Sequence, residues 1–365
     1  MKGILLEPFY GGSHKKWADE LLSFSGHKIE LFTLPANHWK WRMHGAAISF
    51  AEQFKGLNDN VDFILATDML DLATFKGLIP KQYKSTPTFL YMHENQLNYP
   101  WSAADEDATK GRDNHYAFIN YTSMLAADQV WFNSDYHYKA WFNALPGFLK
   151  RFPDRRNVST IDSIRDKSSV LPIGIDFSRI KSSKRSKNIP PVILWNHRWE
   201  YDKNSELFFK TLFKIKERGI KFELIVLGEQ SVKSPEIFGL AKERLVSELV
   251  HWGFAENNDR YNKLLAKADL VPVTSNQDFF GISAVEAIAS GCIPLLPNRL
   301  AFPEHLPTEL ASKLVYNNDS DFEQKLIDQI LNPVTIDSDL PEFLNEKYNW
   351  GKVAAQFDKA IRNWN

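Results

Sequence analysis

Short apolar runs typical of buried β-strands recur along the chain and alternate with segments of helical or loop character. The runs that indicate strands are 4–7, 29–33, 61–67, 88–92, 129–133, 192–195, 223–227, 249–252, 269–273, 293–296 and 314–316. Such alternation predicts parallel, doubly wound sheets with helices on both faces. Because 365 residues suffice for two domains with separate cores, we expect an α/β protein with one domain over 1–180 and a second over 190–345. A Ser/Lys/Arg run at 182–187 is predicted to be an exposed linker.

Cysteine content and the length of the apolar runs bear on the cellular setting. Cys292 is the single cysteine, which excludes an internal disulfide framework and a cysteine-based metal cluster and suits a reducing compartment. The apolar residues 4–6 that precede Glu7 are too few for a signal-peptide core, and no apolar run reaches membrane-spanning length. We therefore expect a soluble, cytoplasmic protein.

Positive charge is concentrated in one region. Between Lys139 and Lys187 there are twelve Lys or Arg residues against four Asp, although the whole chain has a formal net charge of -1. Such asymmetry predicts either a polyanionic partner or a solvated basic linker.

One segment, from Ala268 to Pro294, carries the pattern of an anion-binding site. A strand is followed by a polar turn, by Gly281 and by a predicted helix over 282–290. The first amides of a helix have no intrahelical partner and can hold an anion, and a glycine lets a diphosphate approach the backbone. Glu286, one turn into the helix, is expected to reach a sugar hydroxyl beside that phosphate. The alternative is an ordinary β–α unit with a solvated Asp278 and Glu286.

Arg198 and Lys203 are the predicted cationic partners of a diphosphate. They follow the strand 192–195 and precede a predicted helix over 205–218. Arginine offers a planar fork of donors and lysine a point charge, so the two side chains are expected to converge on the phosphates.

The first predicted strand is followed by Gly11 and Gly12, which let the backbone pass close to a ligand before the next helix begins. Ser13 is the expected N-cap of that helix. The pattern differs from the dinucleotide fingerprint Gly-x-Gly-x-x-Gly, which argues against an NAD enzyme.

A polar cluster, His93-Glu-Asn-Gln96, follows the strand 88–92. Open parallel sheets bind ligands at the carboxyl ends of their strands, so we expect this cluster to line a site. Asp68 and Asp71 follow the strand 61–67 at an equivalent end.

An early loop is dense in aromatic and cationic residues, among them Trp39, Trp41 and Arg42. These side chains are expected either to stack on a nucleotide base or to be structural.

The segment around Asp278 resembles the donor-binding signature of the retaining GT-B glycosyltransferases of family four. That signature has the form Glu-x7-Glu, and here Asp278 stands in place of the first Glu, with Gly281-Ile-Ser283 and Glu286-Ala-Ile-Ala-Ser-Gly-Cys-Ile-Pro294 after it. Leu171-Pro-Ile-Gly-Ile-Asp176 and the Arg198-x4-Lys203 pair are also similar to features of this group.

Phrases in the N-terminal half resemble a narrower family, the tRNA-queuosine α-mannosyltransferases. They are Glu7-Pro-Phe-Tyr-Gly-Gly-Ser-His-Lys15, Thr33-Leu-Pro-Ala36 with Trp39-Lys-Trp-Arg42, Asp68-Met-Leu-Asp-Leu-Ala-Thr-Phe75 and Tyr91-Met-His-Glu-Asn-Gln96. The resemblance implies a GT-B fold, in which two Rossmann-like domains face across a cleft and a final helix, here 346–365, crosses back to the first domain. It also implies transfer of mannose from GDP-mannose to the cyclopentenediol of queuosine in a tRNA anticodon.

The residue patterns and the resemblance together predict which residues form the site. Those expected to bind the donor are Gly11, Gly12, Arg198, Lys203, Gly253, Phe254, Phe280, Gly281, Ile282 and Glu286. Those expected to act in catalysis are His93, Arg198, Lys203 and Asp278. Those expected to bind the acceptor are His14, Glu94, Asn95, Lys150, Arg151, Arg155 and Arg156.

The expected substrates are a nucleotide sugar and a tRNA, with neither a metal nor another cofactor, because cationic side chains and helix amides can compensate the leaving diphosphate. The chain offers no clear carboxylate nucleophile, so we expect a front-face mechanism in which the departing phosphate helps to deprotonate the acceptor.

Three alternatives stay open at this point. A family-four glycosyltransferase could act on a lipid, polysaccharide or small-molecule acceptor. A nucleotide-sugar epimerase of similar fold would need no acceptor, and an inactive tRNA-binding module would bind no nucleotide sugar.

Overall fold

The computed structural model of the chain describes residues 1–101, 114–180, 189–230, 234–332 and 340–364. The chain forms two compact units, the first made of Met1–Gly174 with Trp350–Asn365 and the second of Ile175–Asn349. The expected linker run, residues 182–187, lies outside the described residues. None of the described helices combines the length and the apolar character needed to cross a membrane.

The first unit is built on a six-stranded parallel sheet with the strand order β2-β1-β3-β4-β5-β6. Its strands are β1 (Lys2–Tyr10), β2 (Lys28–Pro35), β3 (Phe63–Thr67), β4 (Thr88–Met92), β5 (Gln129–Phe132) and β6 (Ser168–Val170). The described helices of this unit are α1 (Gly12–Phe24), α2 (Trp39–Lys55), α3 (Leu72–Leu78), α4 (Asn114–Ala126), α5 (Asp135–Leu149) and α6 (Thr160–Asp166), together with the last helix of the chain.

Successive side chains of the central strands enter two different cores, one on each face of the sheet. Ile4 and Leu6 pack in one cluster with Phe50 and Phe54 of α2, whereas Leu5 packs in the other with Trp17 and Phe357. Side chains alternate between the faces of a strand, so a strand covered on both faces is apolar throughout. This is why these strands are recognisable in the sequence as continuous apolar runs.

The last helix, α14 (Trp350–Arg362), belongs to the second of these cores. Trp350, Val353 and Phe357 are buried there, at the spacing of one helical face. The Trp350 indole Nε1 donates a 2.6 Å hydrogen bond to Glu20 Oε2, and Gly174 lies so close that a Cβ on it would meet the indole ring at 2.1 Å. Indole packing therefore requires glycine at position 174.

The second unit is built on another six-stranded parallel sheet, with the order β12-β11-β10-β7-β8-β9. Its strands are β7 (Val192–Trp195), β8 (Glu223–Leu227), β9 (Leu249–Gly253), β10 (Leu270–Pro272), β11 (Ile293–Pro297) and β12 (Val315–Tyr316). Its described helices are α7 (Ser205–Glu217), α8 (Ile237–Arg244), α9 (Asn258–Lys267), α10 (Ile282–Ala289), α11 (Ala311–Leu314), α12 (Asp319–Leu331) and α13 (Leu340–Tyr348).

One expectation about local structure is wrong. Ser13 is not the N-cap of α1: the helix starts at Gly12, and the extended residue Gly11 is the cap without a side-chain hydrogen bond. Gly11 is required there because a Cβ would come within 2.4 Å of the Ala36 side chain. A serine at position 13 favours an N-cap, and the sequence shows that preference. The sequence does not show that Gly11 approaches Ala36, the residue directly after β2.

Candidate functional site

In the second unit, helix α10 begins after a residue whose left-handed backbone conformation favours glycine. Its N-cap, Gly281, has φ 84° and ψ 44° and provides no side-chain cap, and a Cβ at this position would lie 2.6 Å from the Phe302 ring. The side-chain amide of Asn196 donates a 2.7 Å hydrogen bond to the carbonyl of Ser283 in the first turn. The helix start is thus fixed, and its first amides have no intrahelical partners.

Glu286 lies one turn further along α10 and is 8% exposed. The Tyr261 hydroxyl, from the first half of α9, donates a 2.9 Å hydrogen bond to its Oε2 atom. Burial, together with the Glu286 carboxylate, raises the pKa of Tyr261 well above its ordinary value. The phenol therefore stays protonated and keeps the carboxylate in place.

Lys203 is a buried cation of this unit, with 6% exposure. Its Nζ donates to the Gln277 carbonyl at 2.8 Å and to Asp278 Oδ2 at 3.0 Å, and it lies 3.0 Å from Asp202 Oδ2. Burial lowers the pKa of Lys203, but Asp278 and Asp202 outweigh that effect, so its pKa is raised overall. Lys203 is therefore charged, and it joins the loop after β7 to the loop before α10.

The backbone of these two loops is also joined. The Thr274 hydroxyl donates a 2.9 Å hydrogen bond to the Lys203 carbonyl, and the Asn276 amide donates a 2.7 Å bond to the Asp202 carbonyl. Residues 75 positions apart in the sequence, Lys203 and Asp278, are held together in this way.

Arg198, the other predicted cation, has a different environment. Its side chain is 65% exposed, and its Nη1 lies 3.2 Å from Glu200 Oε1. The positive charge of Arg198 is near enough to act on Lys203, whose pKa it lowers slightly against the larger effects of the carboxylates. The structure therefore brings Lys203 and Asp278 into contact and leaves Arg198 at the surface beside them.

The aromatic residues predicted to bind the donor are of two kinds. Phe280 is 4% exposed, and its ring packs 5.2 Å from that of His305 and 5.1 Å from that of Tyr348. His305 Nε2 also donates to the Phe280 carbonyl at 2.5 Å, so this loop is held by both its side chain and its backbone. Phe254 follows Gly253 at the end of β9 and is 70% exposed, so its ring is accessible for stacking.

In the first unit, two histidines meet at the carboxyl ends of β1 and β4. The His14 and His93 rings lie 4.4 Å apart, and His14 Nδ1 lies 3.4 Å from Oε2 of the buried Glu7. The backbone amide of His93 donates a 2.8 Å hydrogen bond to Asp68 Oδ1, and Trp17 packs edge-on against His93 at 4.6 Å.

The two histidines differ in charge. Burial lowers the pKa of His14, but the Glu7 carboxylate outweighs it and raises the pKa to about 9. Burial, with the positive charge of His14, holds the pKa of His93 well below its ordinary value. Burial also raises the pKa of Asp68. At neutral pH an imidazolium therefore lies beside a neutral imidazole.

Two residues predicted to bind the acceptor make local contacts in the same loop. The Asn95 side-chain oxygen accepts hydrogen bonds from the amides of Leu97 at 3.1 Å and Asn98 at 2.8 Å, which stabilises a turn. Glu94 Oε1 accepts a 2.8 Å bond from Gln96 Nε2.

The basic residues predicted to bind the acceptor are exposed around the turn that follows α5. They are Lys150, Arg151, Arg155 and Arg156. The Arg155 side chain is 91% exposed, and Arg156 Nε donates to the Phe152 carbonyl at 3.0 Å. The residues Trp39, Trp41 and Arg42, expected in a loop, instead form the start of helix α2. Trp39 packs 5.0 Å from Tyr116, whereas Trp41 is 62% exposed.

Comparison with known proteins decides the family. A family model described as tRNA-queuosine alpha-mannosyltransferase N-terminal matches residues 2–175, and one described as glycosyl transferases group 1 matches residues 176–356. A Drosophila melanogaster protein named tRNA-queuosine alpha-mannosyltransferase is 33% identical over 364 residues, which cover 97% of this chain and 93% of that protein. The chain belongs to the tRNA-queuosine α-mannosyltransferase family. It is a glycosyltransferase, as the sequence predicted.

Several solved structures share the fold of this member of the tRNA-queuosine α-mannosyltransferase family. A sucrose-phosphate synthase from Thermosynechococcus elongatus has a TM-score of 0.74 at 15% identity and covers 100% of this chain and 99% of that chain. The Anabaena protein HepE in complex with UDP and glucose has a TM-score of 0.66 at 14% identity, with 100% of both chains covered. The expected α/β GT-B fold is therefore confirmed.

Four side chains lie around the start of α10 that the sequence did not identify as site residues. They are Asn196, His197, Tyr261 and Ser283. His197 Nδ1 lies 3.0 Å from the Ser283 hydroxyl, and burial lowers the pKa of His197 to about 4. Each of these three contacts, Asn196 with Ser283, His197 with Ser283 and Tyr261 with Glu286, joins residues at least 25 positions apart in the sequence. None of them has a characteristic spacing that the sequence could reveal.

Proposed function

We propose that the chain transfers mannose from GDP-mannose to the cyclopentenediol of queuosine in a tRNA anticodon, with retention of the anomeric configuration. Membership of the family supports glycosyl transfer, and one structural observation supports it most strongly. The buried Lys203 ammonium contacts Asp278 in the loop that leads to Gly281 and the start of α10. A permanent cation and a helix start beside one carboxylate suit a sugar diphosphate.

The second unit would bind the donor. We assign the diphosphate to Lys203, to the amides near Gly281 and Ile282, and to Arg198, whose side chain is 65% exposed. Glu286 would accept hydrogen bonds from the ribose hydroxyls, and Asp278 would bind the mannose. Phe254 and Gly253, at the end of β9, would lie beside the guanine base.

The transfer itself exchanges two bonds at one carbon. The queuosine hydroxyl oxygen bonds to C1 of mannose, and the bond from C1 to the β-phosphate oxygen of GDP breaks with its electron pair on that oxygen. The acceptor proton passes to the departing phosphate on the same face of the sugar. Lys203 and the helix amides stabilise the negative charge that develops there, so the proposed reaction requires neither a metal nor another cofactor.

The first unit would orient the transferred sugar and the acceptor. His93, neutral because of its burial, can donate or accept a hydrogen bond with a sugar hydroxyl. His14, cationic through Glu7, would bind an acceptor oxygen together with Glu94, and Asn95 would keep their loop in place. Gly11 and Gly12 would lie along the phosphates.

The acceptor tRNA would contact the exposed residues Lys150, Arg151, Arg155 and Arg156. Their charge is accessible to a phosphate backbone, which is the usual source of affinity for nucleic acid. Such a substrate also fits the cytoplasmic location that we propose.

Incubation of the purified chain with GDP-mannose and queuosine-containing tRNA tests the proposal directly. Nucleoside mass spectrometry should show that queuosine gains the mass of one hexose. tRNA that carries guanine in place of queuosine is the matched control and should not be modified. Transfer from GDP-mannose to a lipid or a free sugar, with queuosine unchanged, would favour the alternative acceptors instead.

A further inference from the structure

Three potential metal ligands meet in the first unit. One ligand atom from each of Glu7, His14 and His93 lies within 4.8 Å of the other two. Glu7 lies on β1, His14 is in the first turns of α1, and His93 directly follows β4. These positions are on or next to regular elements of one sheet layer, so their spacing is set by the fold.

The His93 imidazole provides an independent observation. Its Nε2 atom is buried and has no hydrogen-bond partner among the described residues. The residue is nonetheless held firmly, because its amide donates to Asp68 Oδ1 at 2.8 Å and its carbonyl accepts from Asn133 Nδ2 at 2.8 Å. A fixed imidazole nitrogen that lacks such a partner is available to coordinate a metal ion or to bind another ligand.

The contact between Glu7 and His14 leaves room for the same ligand. The distance from His14 Nδ1 to Glu7 Oε2 is 3.4 Å, longer than the about 2.8 Å of a strong charge-assisted hydrogen bond. The other oxygen of Glu7, Oε1, accepts a 2.9 Å bond from the Phe9 amide. This hydrogen bond fixes the orientation of the Glu7 carboxylate. Residues outside the metal shell usually orient metal-ligating carboxylates in the same way.

We propose that Glu7, His14 and His93 form a binding site for a divalent transition-metal ion such as Zn²⁺. Two imidazole nitrogens and one carboxylate oxygen are a ligand set that zinc and its first-row neighbours prefer, whereas Mg²⁺ and Ca²⁺ prefer oxygen ligands throughout. Asp68 Oδ1, which accepts a hydrogen bond from the His93 amide, fixes the backbone that carries the imidazole. Bonds of about 2.1 Å to each ligand atom draw the three side chains together by small rotations.

This inference goes beyond the proposed glycosyl transfer and does not depend on it, since that reaction requires no ion. The two are linked only through His93. An ion bound to the imidazole would prevent His93 from contacting the transferred sugar, so occupancy by Zn²⁺ is expected to inhibit transfer rather than to support it.

Titration of the full chain with Co²⁺ tests the site without any substrate. The protein is first treated with a chelator, which is then removed. Co²⁺ should bind with one-to-one stoichiometry and give a visible absorption band of a low-coordinate site, and equimolar Zn²⁺ should abolish the band. Glu7→Gln, His14→Ala and His93→Ala should each weaken binding about tenfold or more. His251→Gln removes one imidazole from the second unit and should bind Co²⁺ like the wild type.

Two results would overturn the inference. One is the absence of a saturable band in the wild-type chain, and the other is equal Co²⁺ affinity in the wild type and all three ligand variants. Melting temperatures identify any variant that fails to fold, and His93→Gln, which preserves the approximate size of the side chain, replaces His93→Ala in that case. A chain that binds Co²⁺ at this site but does not modify queuosine would overturn only the proposed function.

Discussion

The Tyr261 hydroxyl donates a 2.9 Å hydrogen bond to the Glu286 carboxylate and so joins helix α9 to helix α10. Glu286 is the residue to which we assign the ribose of the donor. A carboxylate that is oriented before the ligand arrives loses less conformational freedom on binding. Tyr261 is therefore expected to position Glu286 without contacting the reacting atoms.

Tyr261→Phe is predicted to weaken GDP binding by about tenfold, or about 1.4 kcal/mol, in isothermal titration. In steady-state assays KM for GDP-mannose should rise while kcat changes little, because the interaction is made equally with bound substrate and transition state. Tyr83→Phe is the matched control, since Tyr83 is a buried tyrosine of the first unit whose hydroxyl contacts the carbonyls of Leu57 and Asp59. Unchanged GDP affinity in Tyr261→Phe would remove this role.

Lys203→Met is predicted to destabilise the second unit as well as to abolish transfer. The substitution leaves the carboxylates of Asp202 and Asp278 without their cation, and uncompensated buried charge costs on the order of 3 kcal/mol. Thermal unfolding measures the effect. Lys214→Met, at a position 57% exposed and paired with Glu323, should change stability by less than about 1 kcal/mol. Equal melting temperatures of the two variants would contradict the structural role of Lys203.

Arg198→Ala should separate function from stability. The side chain is 65% exposed, so its removal is predicted to leave the melting temperature unchanged. Transfer should nevertheless fall at least about 100-fold, or about 2.7 kcal/mol, because a charge that acts on the leaving diphosphate is lost. Arg218→Ala, which removes another exposed arginine of this unit, should retain full activity. Near-normal turnover by Arg198→Ala would exclude Arg198 from the reaction.

The stability of the first unit should depend on pH through His14. Its pKa is 6.5 when unperturbed and about 9 in the folded chain. A raised pKa contributes stability that is fully present below pH 6.5 and is lost as the pH rises through 9. The free energy of unfolding should therefore fall between these values more in the wild type than in His14→Gln. Identical pH profiles over this range would mean that Glu7 does not hold a proton on His14.

Binding of tRNA should depend on salt through the exposed basic residues. Replacement of both Arg151 and Arg155 by alanine should weaken tRNA binding and reduce the slope of log affinity against log salt concentration by about 2. Lys210→Ala, at an exposed position of the second unit, should leave the slope unchanged. If the double variant has the slope of the wild type, tRNA binds elsewhere.

The central strands, such as β3, β4 and β7, were predictable because burial on both faces makes them continuously apolar. Strand β6 (Ser168–Val170) was not expected, since two of its three residues are serine and it is only partly buried. Lys203 and Asp278 could be proposed as site residues because each belongs to a spacing pattern, Arg198-x4-Lys203 and Asp278-x7-Glu286. Their direct contact was not expected. Tyr261 could not, because its role depends on how α9 packs beside α10, and a single tyrosine in an amphipathic helix has no distinctive sequence pattern.

The stereochemistry of the product tests the central claim most directly. GDP-mannose carries mannose in the α configuration, so a retaining transfer to queuosine must give an α-mannoside. The account predicts that nucleosides from tRNA treated with the purified chain and GDP-mannose contain a mannosylated queuosine that α-mannosidase, but not β-mannosidase, converts back to queuosine. Unmodified queuosine after such treatment, or a product cleaved only by β-mannosidase, would contradict it.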